Sequence, residues 1–319
     1  MEKEKTKIIF FGTSDFAKDI LRAIASEKYQ ILAVFTQPDK KVGRKQEIKI
    51  GPVKEFSDKQ KIPVFQPKKL GEEIIRKVKE LNPELIIVAA YGRIIPKEIL
   101  EVPACKSINV HPSMLPEFRG PSPIQNAVLA GKKETGISIM MMDEKMDHGD
   151  ILAQTKIEID PNESAEDLMK KTAPLSAKLL LETIPGWMEG KIKPKRQDDS
   201  KATYCQLIER EDGHIFWNEE AIEIYNKFRA FYPWPGIFSI WEKDRIIIRI
   251  KLVKIRVQKK DPEEKYEIGE VFKLNKVDIG VKTAKGVIII DEIQLEGKNP
   301  AKIKEFLNGY SNFIGSKLK

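Results

Sequence analysis

Between Ser107 and Asp150 the chain brings an amide, an imidazole and three carboxylates into a short span, each beside an apolar run: SINVHPSMLPEFRGPSPIQ, then ETGISIMMMDEKMDHGDIL. Asn109 and His111 stand two residues apart at the end of a strand-like segment, and the period of two in extended chain puts them on one side. Asp143, Asp147 and Asp150 follow a second strand-like run, Gly136 to Met142. An amide in such a place can donate to a carbonyl oxygen as it becomes an oxyanion, which for such donors contributes about 2.7–4 kcal/mol. A histidine adds a second donor, strongest when protonated, and a carboxylate beside it favours that charged form and can relay a proton. The set has no nucleophile of its own. It suits direct attack of an amine on an activated acyl carbon, with no covalent enzyme intermediate and no metal. The bland alternatives stand beside this one: a strand-end histidine satisfied by backbone, an asparagine capping a turn, and loop acids supporting the turn at Gly149. His148 and His214 lack ligand-like spacing with His111 and no cysteine pair accompanies them, so no metal is expected.

The elements that must position these residues begin with an α/β pattern. Lys7 to Phe11 is a short apolar run, Phe16 to Ala25 an amphipathic stretch with Ser14 or Asp15 placed to cap it, and Tyr29 to Thr36 a second strand. That βαβ opening implies a parallel sheet with a right-handed crossover. Its first turn reads FGTSDFA, without the glycines of a dinucleotide fingerprint, and no Walker A motif occurs anywhere. Gln37 to Ile50 is a long loop with Lys40, Lys41, Arg44, Lys45 and Lys49, leaving the carboxyl end of a parallel strand, the edge where ligands bind in such folds. Helices are expected at Gly51 to Lys59 and Gly71 to Leu81, and Glu84 to Tyr91 reads as a buried strand. The loop after it, Gly92 to Pro96, presents Ile94 and Ile95 as exposed apolar residues that could line a pocket for a flat ring, or pack beneath the loop. Ser122 to Leu129 reads as a helix, and strands at Thr135–Met142 and Ile151–Ile159 flank the acidic loop like a wide hairpin. Ser164 to Trp187 is helical, with Pro174 expected to kink or break it.

A polar basic stretch from 191 to 206 reads as a linker between a catalytic domain, 1–190, and a smaller one, 207–319. The latter opens with a helix from Glu219 to Phe231, stopped at Pro233, and continues in short strands at Phe238–Trp241, Arg245–Val257, Gly269–Leu274, Asp278–Lys282 and Gly286–Ile293. A last helix is expected from Pro300 to Leu307. Short antiparallel strands with frequent turns suggest a small barrel of the OB type, and the cations Arg249, Lys251, Lys254 and Arg256 on one strand make nucleic acid a fair suspicion. The whole chain of 319 residues is 41% hydrophobic and 33% charged, with a formal net charge of +8 that suits an anionic partner. No apolar run approaches the ~20 residues of a membrane span. With only Cys105 and Cys205, a reducing compartment is expected and no disulfide framework; Cys105 reads as a small buried hydrophobe.

INVHPSMLPEFRGPSPIQ and MMMDEKMDHGDIL resemble the signatures of folate-dependent formyltransferases, and FFGTSDFA, FTQPDKKVGR, AAYGRIIP and FRAFYPWPG extend the resemblance through nearly the whole chain. The resemblance implies a Rossmann-like N-terminal formyltransferase domain and an OB-like C-terminal barrel. It implies 10-formyltetrahydrofolate as the formyl donor, Asn109, His111 and Asp147 as the catalytic set, and Asp143 and Asp150 as scaffolding. Folate contacts would come from Pro112, Ser113, Met114 and Leu115 and from Tyr91, Gly92, Ile94, Ile95 and Pro96. The basic loop and the appended domain favour the branch of the family that acts on tRNA. The acceptor would then be the amino group of methionine on initiator tRNA, with Arg44 matching a tRNA-contacting arginine and Lys40, Lys41 and Lys45 beside it. Other branches act on sugar nucleotides or other small amines, and a non-catalytic RNA-binding protein on the same fold is a further alternative. The chain departs from the family pattern at Leu207, Arg210 and Phe216, where two lysines and an acid are common. A monomeric cytoplasmic enzyme is expected.

Overall fold

The computed structural model describes residues 5–42, 47–243 and 245–319. They form two compact units, one of Met1–Ile124, Glu134–Ile159 and Asp167–Leu207, the other of Gln125–Lys133, Asp160–Glu166 and Ile208–Lys319.

The first unit is built on β1 (Lys7–Gly12), α1 (Asp15–Ala25), β2 (Gln30–Phe35), β3 (Lys40–Val42), β4 (Glu47–Lys49), α2 (Pro52–Lys59), β5 (Val64–Phe65), α3 (Glu72–Leu81), β6 (Leu85–Ala89), α4 (Lys97–Leu100) and β7 (Ser107–His111). α5 (Pro123–Leu129), next in the chain, belongs mostly to the second unit, and the first continues with β8 (Glu134–Met141), β9 (Ile151–Glu158) and α6 (Ala165–Met188) from Asp167 on. Its sheet has seven strands in the order β5-β2-β1-β6-β7-β8-β9. The strands from β5 to β7 are parallel, as amphipathic crossover helices require, and β8 and β9 add antiparallel. Every residue of β6 and β7 is buried, so their apolar runs have water on neither face. Ser14 caps α1, its hydroxyl accepting from the Ala17 amide at 3.3 Å. Gly12 ends β1 because a Cβ there would crowd Phe10, Ala17 and the Ala89 carbonyl.

Three expectations change. The basic loop contains a small antiparallel ribbon, β3 with β4, whose three-residue lysine-bearing strands are too short and polar for periodicity to show. Asp39 roots it, accepting from Lys54 at 2.8 Å, Gln66 at 2.9 Å and the Gly51 amide at 3.3 Å. Ile95 is buried at 4% exposure in the core with Phe11, Val88, Tyr91 and Ile99, and only Ile94, 85% exposed, faces out. Finally, α6 runs unbroken through Pro174 and Pro185. Its buried row Leu168, Ala173, Ala177, Leu180 and Ile184 outweighs the loss of about 3 kcal/mol that an interior proline brings. Residues 191–206 belong to the first unit, Lys195 pairing with Ile151 in both directions at 2.8 Å.

The second unit carries α7 (Ala221–Phe231), β10 (Ile237–Lys243), β11 (Ile246–Gln258), β12 (Val271–Lys273), β13 (Ile279–Lys282), β14 (Val287–Leu295), β15 (Ala301–Lys302) and α8 (Ile303–Gly309). Strand order is β10-β11-β14-β13-β12, all antiparallel, with β15 on β14. The last residues close the ring. Lys319 exchanges both main-chain hydrogen bonds with Ile240 of β10 at 2.9 Å, while Leu318 donates to Gly269 at 2.8 Å and Val271 of β12 donates to Ser316 at 2.9 Å. Closure removes the two sheet edges that an open sheet would leave. Trp241 is the hub beneath, meeting Phe313, Tyr310 and Phe306 edge-on at 5.2, 5.9 and 6.2 Å.

Candidate active site

β7 delivers Asn109 and His111 to one face of the sheet, both nearly buried at 8% and 4% exposure. The loop between β8 and β9 folds back over them. Its Asp147 sits in the left-handed region at φ 47°, which aims the carboxylate inward. Oδ1 accepts from Asn109 Nδ2 at 3.4 Å, Oδ2 lies 3.6 Å from His111 Nδ1, and Oδ2 also accepts from the Gly120 amide at 2.8 Å. His111 Nε2 is 3.0 Å from the Phe118 carbonyl. A carbonyl only accepts, so Nε2 carries a hydrogen and Nδ1 is the nitrogen left facing the carboxylate. Three polar groups thus converge, Asn109 and His111 buried and Asp147 half-buried, where hydrogen bonds and charges act more strongly than in solvent.

The three aspartates have separate surroundings. Asp143 serves its own loop, accepting from the Lys145 amide at 2.9 Å and pairing with His148 Nδ1 at 2.7 Å. The Asp150 carbonyl accepts from the Met141 amide at 2.8 Å. Of the three, Asp147 is the one brought to Asn109 and His111.

A second group of residues lies beneath Asp147, and sequence reasoning missed most of it. Arg119, 1% exposed, gives Nε and Nη2 to Gln197 Oε1 at 3.1 and 2.9 Å, Nη2 to Asp199 at 2.8 Å and Nη1 to the Tyr204 hydroxyl at 3.2 Å. Gln197 gives its amide hydrogens to the carbonyls of Asp147 and Gly149 at 2.9 and 2.8 Å. The guanidinium holds the Asp199 carboxyl below the usual carboxylate range through their hydrogen bond. Arg119 lay in the quoted motif, where an arginine inside a Pro- and Gly-bearing loop was a usable signal. Gln197, in a polar stretch, offered none.

The loop after β7 is held by Ser138, whose hydroxyl donates to the Ser113 carbonyl at 2.7 Å and accepts from the Leu115 amide at 3.2 Å. Gln154 donates to the Leu115 carbonyl at 2.9 Å. Ser113 and Leu115 are buried, and Leu115 packs with Met140 and Ile151. Pro112 and Met114 are half-buried, and Met114 covers Gly136, where any Cβ would strike its sulfur and the Thr155 carbonyl. In the other loop, Gln37 donates to the Tyr91 and Gly92 carbonyls at 2.8 and 3.2 Å. Tyr91 is buried with its hydroxyl unpartnered among the described residues, and burial pushes that hydroxyl up. Gly92 and Ile94 are exposed, and Pro96 is half-buried. Lys40 is exposed on the ribbon, and Lys41 pairs through its backbone with Ile48. Arg44 and Lys45 lie outside the described residues. In the barrel, Arg249 covers the Phe238 ring at 3.4 Å and pairs with Glu211 at 2.8 Å. Arg256 pairs with Asp278 at 2.6 Å and Asp291 at 2.8 Å. Cys205 is buried and Cys105 partly so, both free thiols, with burial pushing each thiol up.

Comparison with known proteins places this geometry in a family. Residues 6–184 match the family model described as formyl transferase, and residues 207–311 match that of the formyl transferase C-terminal domain. The chain is 46% identical over 306 residues to the methionyl-tRNA formyltransferase of Caldicellulosiruptor saccharolyticus, covering 95% of this chain and 96% of the relative. It is 41% identical to the protein of that name from Caldanaerobacter subterraneus, over 98% of this chain and all of the relative. Among solved structures, an N-formyltransferase from Helicobacter canadensis, in complex with folinic acid and dTDP-3-aminofucose, aligns with TM-score 0.66 at 19% identity, over 89% of this chain and 98% of that one. HypX from Aquifex aeolicus aligns with TM-score 0.64 at 17% identity over 98% of this chain, which spans half of the HypX chain. At those identities the structures show the shared fold. By the match of both family models and the identity to full-length relatives, the chain belongs to the formyl transferase family.

Proposed function

We propose that the chain transfers the formyl group of 10-formyltetrahydrofolate to the free amino group of methionine on initiator tRNA, acting as a cytoplasmic monomer. The observation that carries this reading is the convergence of buried Asn109 and His111 with half-buried Asp147, which lies 3.4 Å from the Asn109 amide and 3.6 Å from His111 Nδ1. The acceptor comes from the full-length relatives named methionyl-tRNA formyltransferase. Asn109 Nδ2 and protonated His111, through Nδ1, hold the formyl oxygen as negative charge develops on it. The Phe118 carbonyl keeps the ring from turning. Asp147 balances the imidazolium and takes the proton that the attacking amine loses. The new C–N bond forms as the formyl carbon parts from the donor nitrogen, which leaves with the proton that Asp147 took from the amine and passes on. This chemistry is routed through no metal.

Exposed Gly92 and Ile94 with half-buried Pro96, Pro112 and Met114 would meet the folate, a flat ring system suited to apolar contact. Buried Tyr91, Ile95, Ser113 and Leu115 would shape that surface from beneath. Lys40, Lys41, Arg44 and Lys45 would meet tRNA phosphates. Asn109→Ala, His111→Ala and Asp147→Ala should each lower formyl transfer, by about 10²–10³ in kcat for loss of an oxyanion donor, with the proteins still folded. Near-wild-type turnover in all three would falsify the assignment. Charged initiator tRNA, charged elongator tRNA and an amino-sugar nucleotide, offered in parallel as acceptors, decide the substrate; transfer to the sugar alone overturns the tRNA reading.

A further inference from the structure

We infer that Gln197, with its orientation locked by Arg119, is a positioning residue that sets the catalytic geometry of Asp147; this rests on the role proposed above for that carboxylate. Neither side chain touches the Asn109 or His111 side chain, and their action is through the backbone. Gln197 uses its whole hydrogen-bonding capacity. Its two N–H bonds go to the carbonyls of Asp147 and Gly149 at 2.9 and 2.8 Å, and its oxygen takes two from Arg119 at 3.1 and 2.9 Å. The amide can adopt only one orientation, because a flip would set N–H groups against the guanidinium and an oxygen against two carbonyls. Gln197 therefore pins the main chain on both sides of His148.

That pinning matters because of what Asp147 does there. A non-glycine residue at φ 47° is held against an intrinsic preference of about 1–3 kcal/mol, so its surroundings must enforce it. Released, the residue would relax toward the right-handed or extended region and swing its carboxylate away from Asn109 and His111. Arg119 also helps define the opposite wall. The Arg119 main chain is fixed by the Thr203 carbonyl at 2.9 Å and the Cys205 amide at 2.8 Å, and the next amide, Gly120, donates to Asp147 Oδ2 at 2.8 Å. Arg119 thus sets both the backbone of Asp147, through Gln197, and one donor to its carboxylate, through Gly120. Both side chains are at least nine-tenths buried, Gln197 at 5% and Arg119 at 1% exposure, so water cannot substitute for either.

Gln197→Leu removes all four bonds. Gln197→Glu keeps an acceptor for Arg119, now as a carboxylate, and presents oxygen, in place of N–H, to the two carbonyls. Steady-state kinetics of the full-length variants, with 10-formyltetrahydrofolate and charged initiator tRNA and with folding checked by circular dichroism, should show kcat reduced about 10²-fold, the cost of misplacing a catalytic group by about 1 Å. KM for donor and tRNA should stay within about twofold, because the binding surfaces are untouched. Should Gln197→Leu not fold, Gln197→Glu decides, since its carboxylate keeps the acceptor that Arg119 Nε and Nη2 use. Wild-type kcat in a folded Gln197→Glu overturns the inference, and so does a loss confined to KM. Asp147→Asn is run alongside. If it abolishes turnover while Gln197→Glu does not, the clamp is wrong and the reaction stands; if Asp147→Asn itself turns over normally, the catalytic reading fails and takes the clamp with it.

Discussion

Gly120 combines two demands in one residue, a backbone at φ 119° and an amide that donates to Asp147 at 2.8 Å. A Cβ there would collide with the Cys205 carbonyl, and the conformation is one that side-chain-bearing residues rarely adopt. Gly120→Ala should therefore lower both Tm and kcat, the second more than a stability loss alone explains, because the displaced amide leaves Asp147 Oδ2. Thermal melts paired with kcat measured well below Tm test it; a variant with lower Tm and unchanged kcat would show that the amide is dispensable. At this scale part of the site was legible in the sequence. Asn109 and His111 follow from a period of two on an apolar strand. Asp147 does not follow from any periodicity, since three aspartates lie in the same loop and only a left-handed backbone brings this one to the pair. Gln197 lies 50 residues from Asp147 in a polar stretch, and long-range side-chain-to-backbone bonds leave no local pattern.

Elements were legible where burial imposes a period and illegible where closure or capping does the work. The parallel strands and their crossover helices announced themselves through apolar runs and amphipathic spacing. The ribbon β3–β4 did not, because its strands bury little, and it relies on Asp39 at its root. The hydrogen bond from Lys54, ahead of those from Gln66 and Gly51, holds the Asp39 carboxyl below its usual range. A depressed folded value means that this contribution is full above the ordinary carboxylate pKa of about 3.9 and is lost as pH falls through the folded value. The Tm difference between wild type and Asp39→Asn should therefore be constant near neutrality and shrink in acid; a difference that widens below pH ~4 would contradict the sign. The C-terminal residues were equally silent, since 316–319 have no strand-like pattern yet close the barrel. Removing them deletes four main-chain hydrogen bonds to β10, Gly269 and β12, each worth about 0.5–1.5 kcal/mol, and uncovers two edges. The melting temperature of the second unit should drop by about 10 °C or more, and an unchanged melt would show that the ring closes without them.

Across the whole molecule the formal charge of +8 is less informative than which cations are already committed. Arg119 is engaged by Asp199, Arg249 by Glu211, and Arg256 by both Asp278 and Asp291. Two of the four barrel cations that made nucleic acid a suspicion therefore face acids in the folded protein. Arg256 in particular is driven further from deprotonation by the hydrogen bonds it donates to Asp291 and then to Asp278, a structural knot on the strand surface. In the loop after β2 the acid at the root, Asp39, is taken by Lys54, and Lys40 is exposed, so the tRNA contact proposed for this loop is tested by its salt dependence. Electrostatic binding to a polyanion releases counterions, so each phosphate contact adds about one to the slope of log affinity against log salt. Arg44→Ala should weaken kcat/KM for charged tRNA and reduce that slope by about one between ~50 and ~200 mM salt, while KM for the folate donor stays unchanged. Arg256→Ala should leave the slope as it is and lower Tm instead, since its guanidinium is spent on two carboxylates. A slope that falls with Arg256 and not with Arg44 would move the tRNA-facing charge from the loop to the barrel.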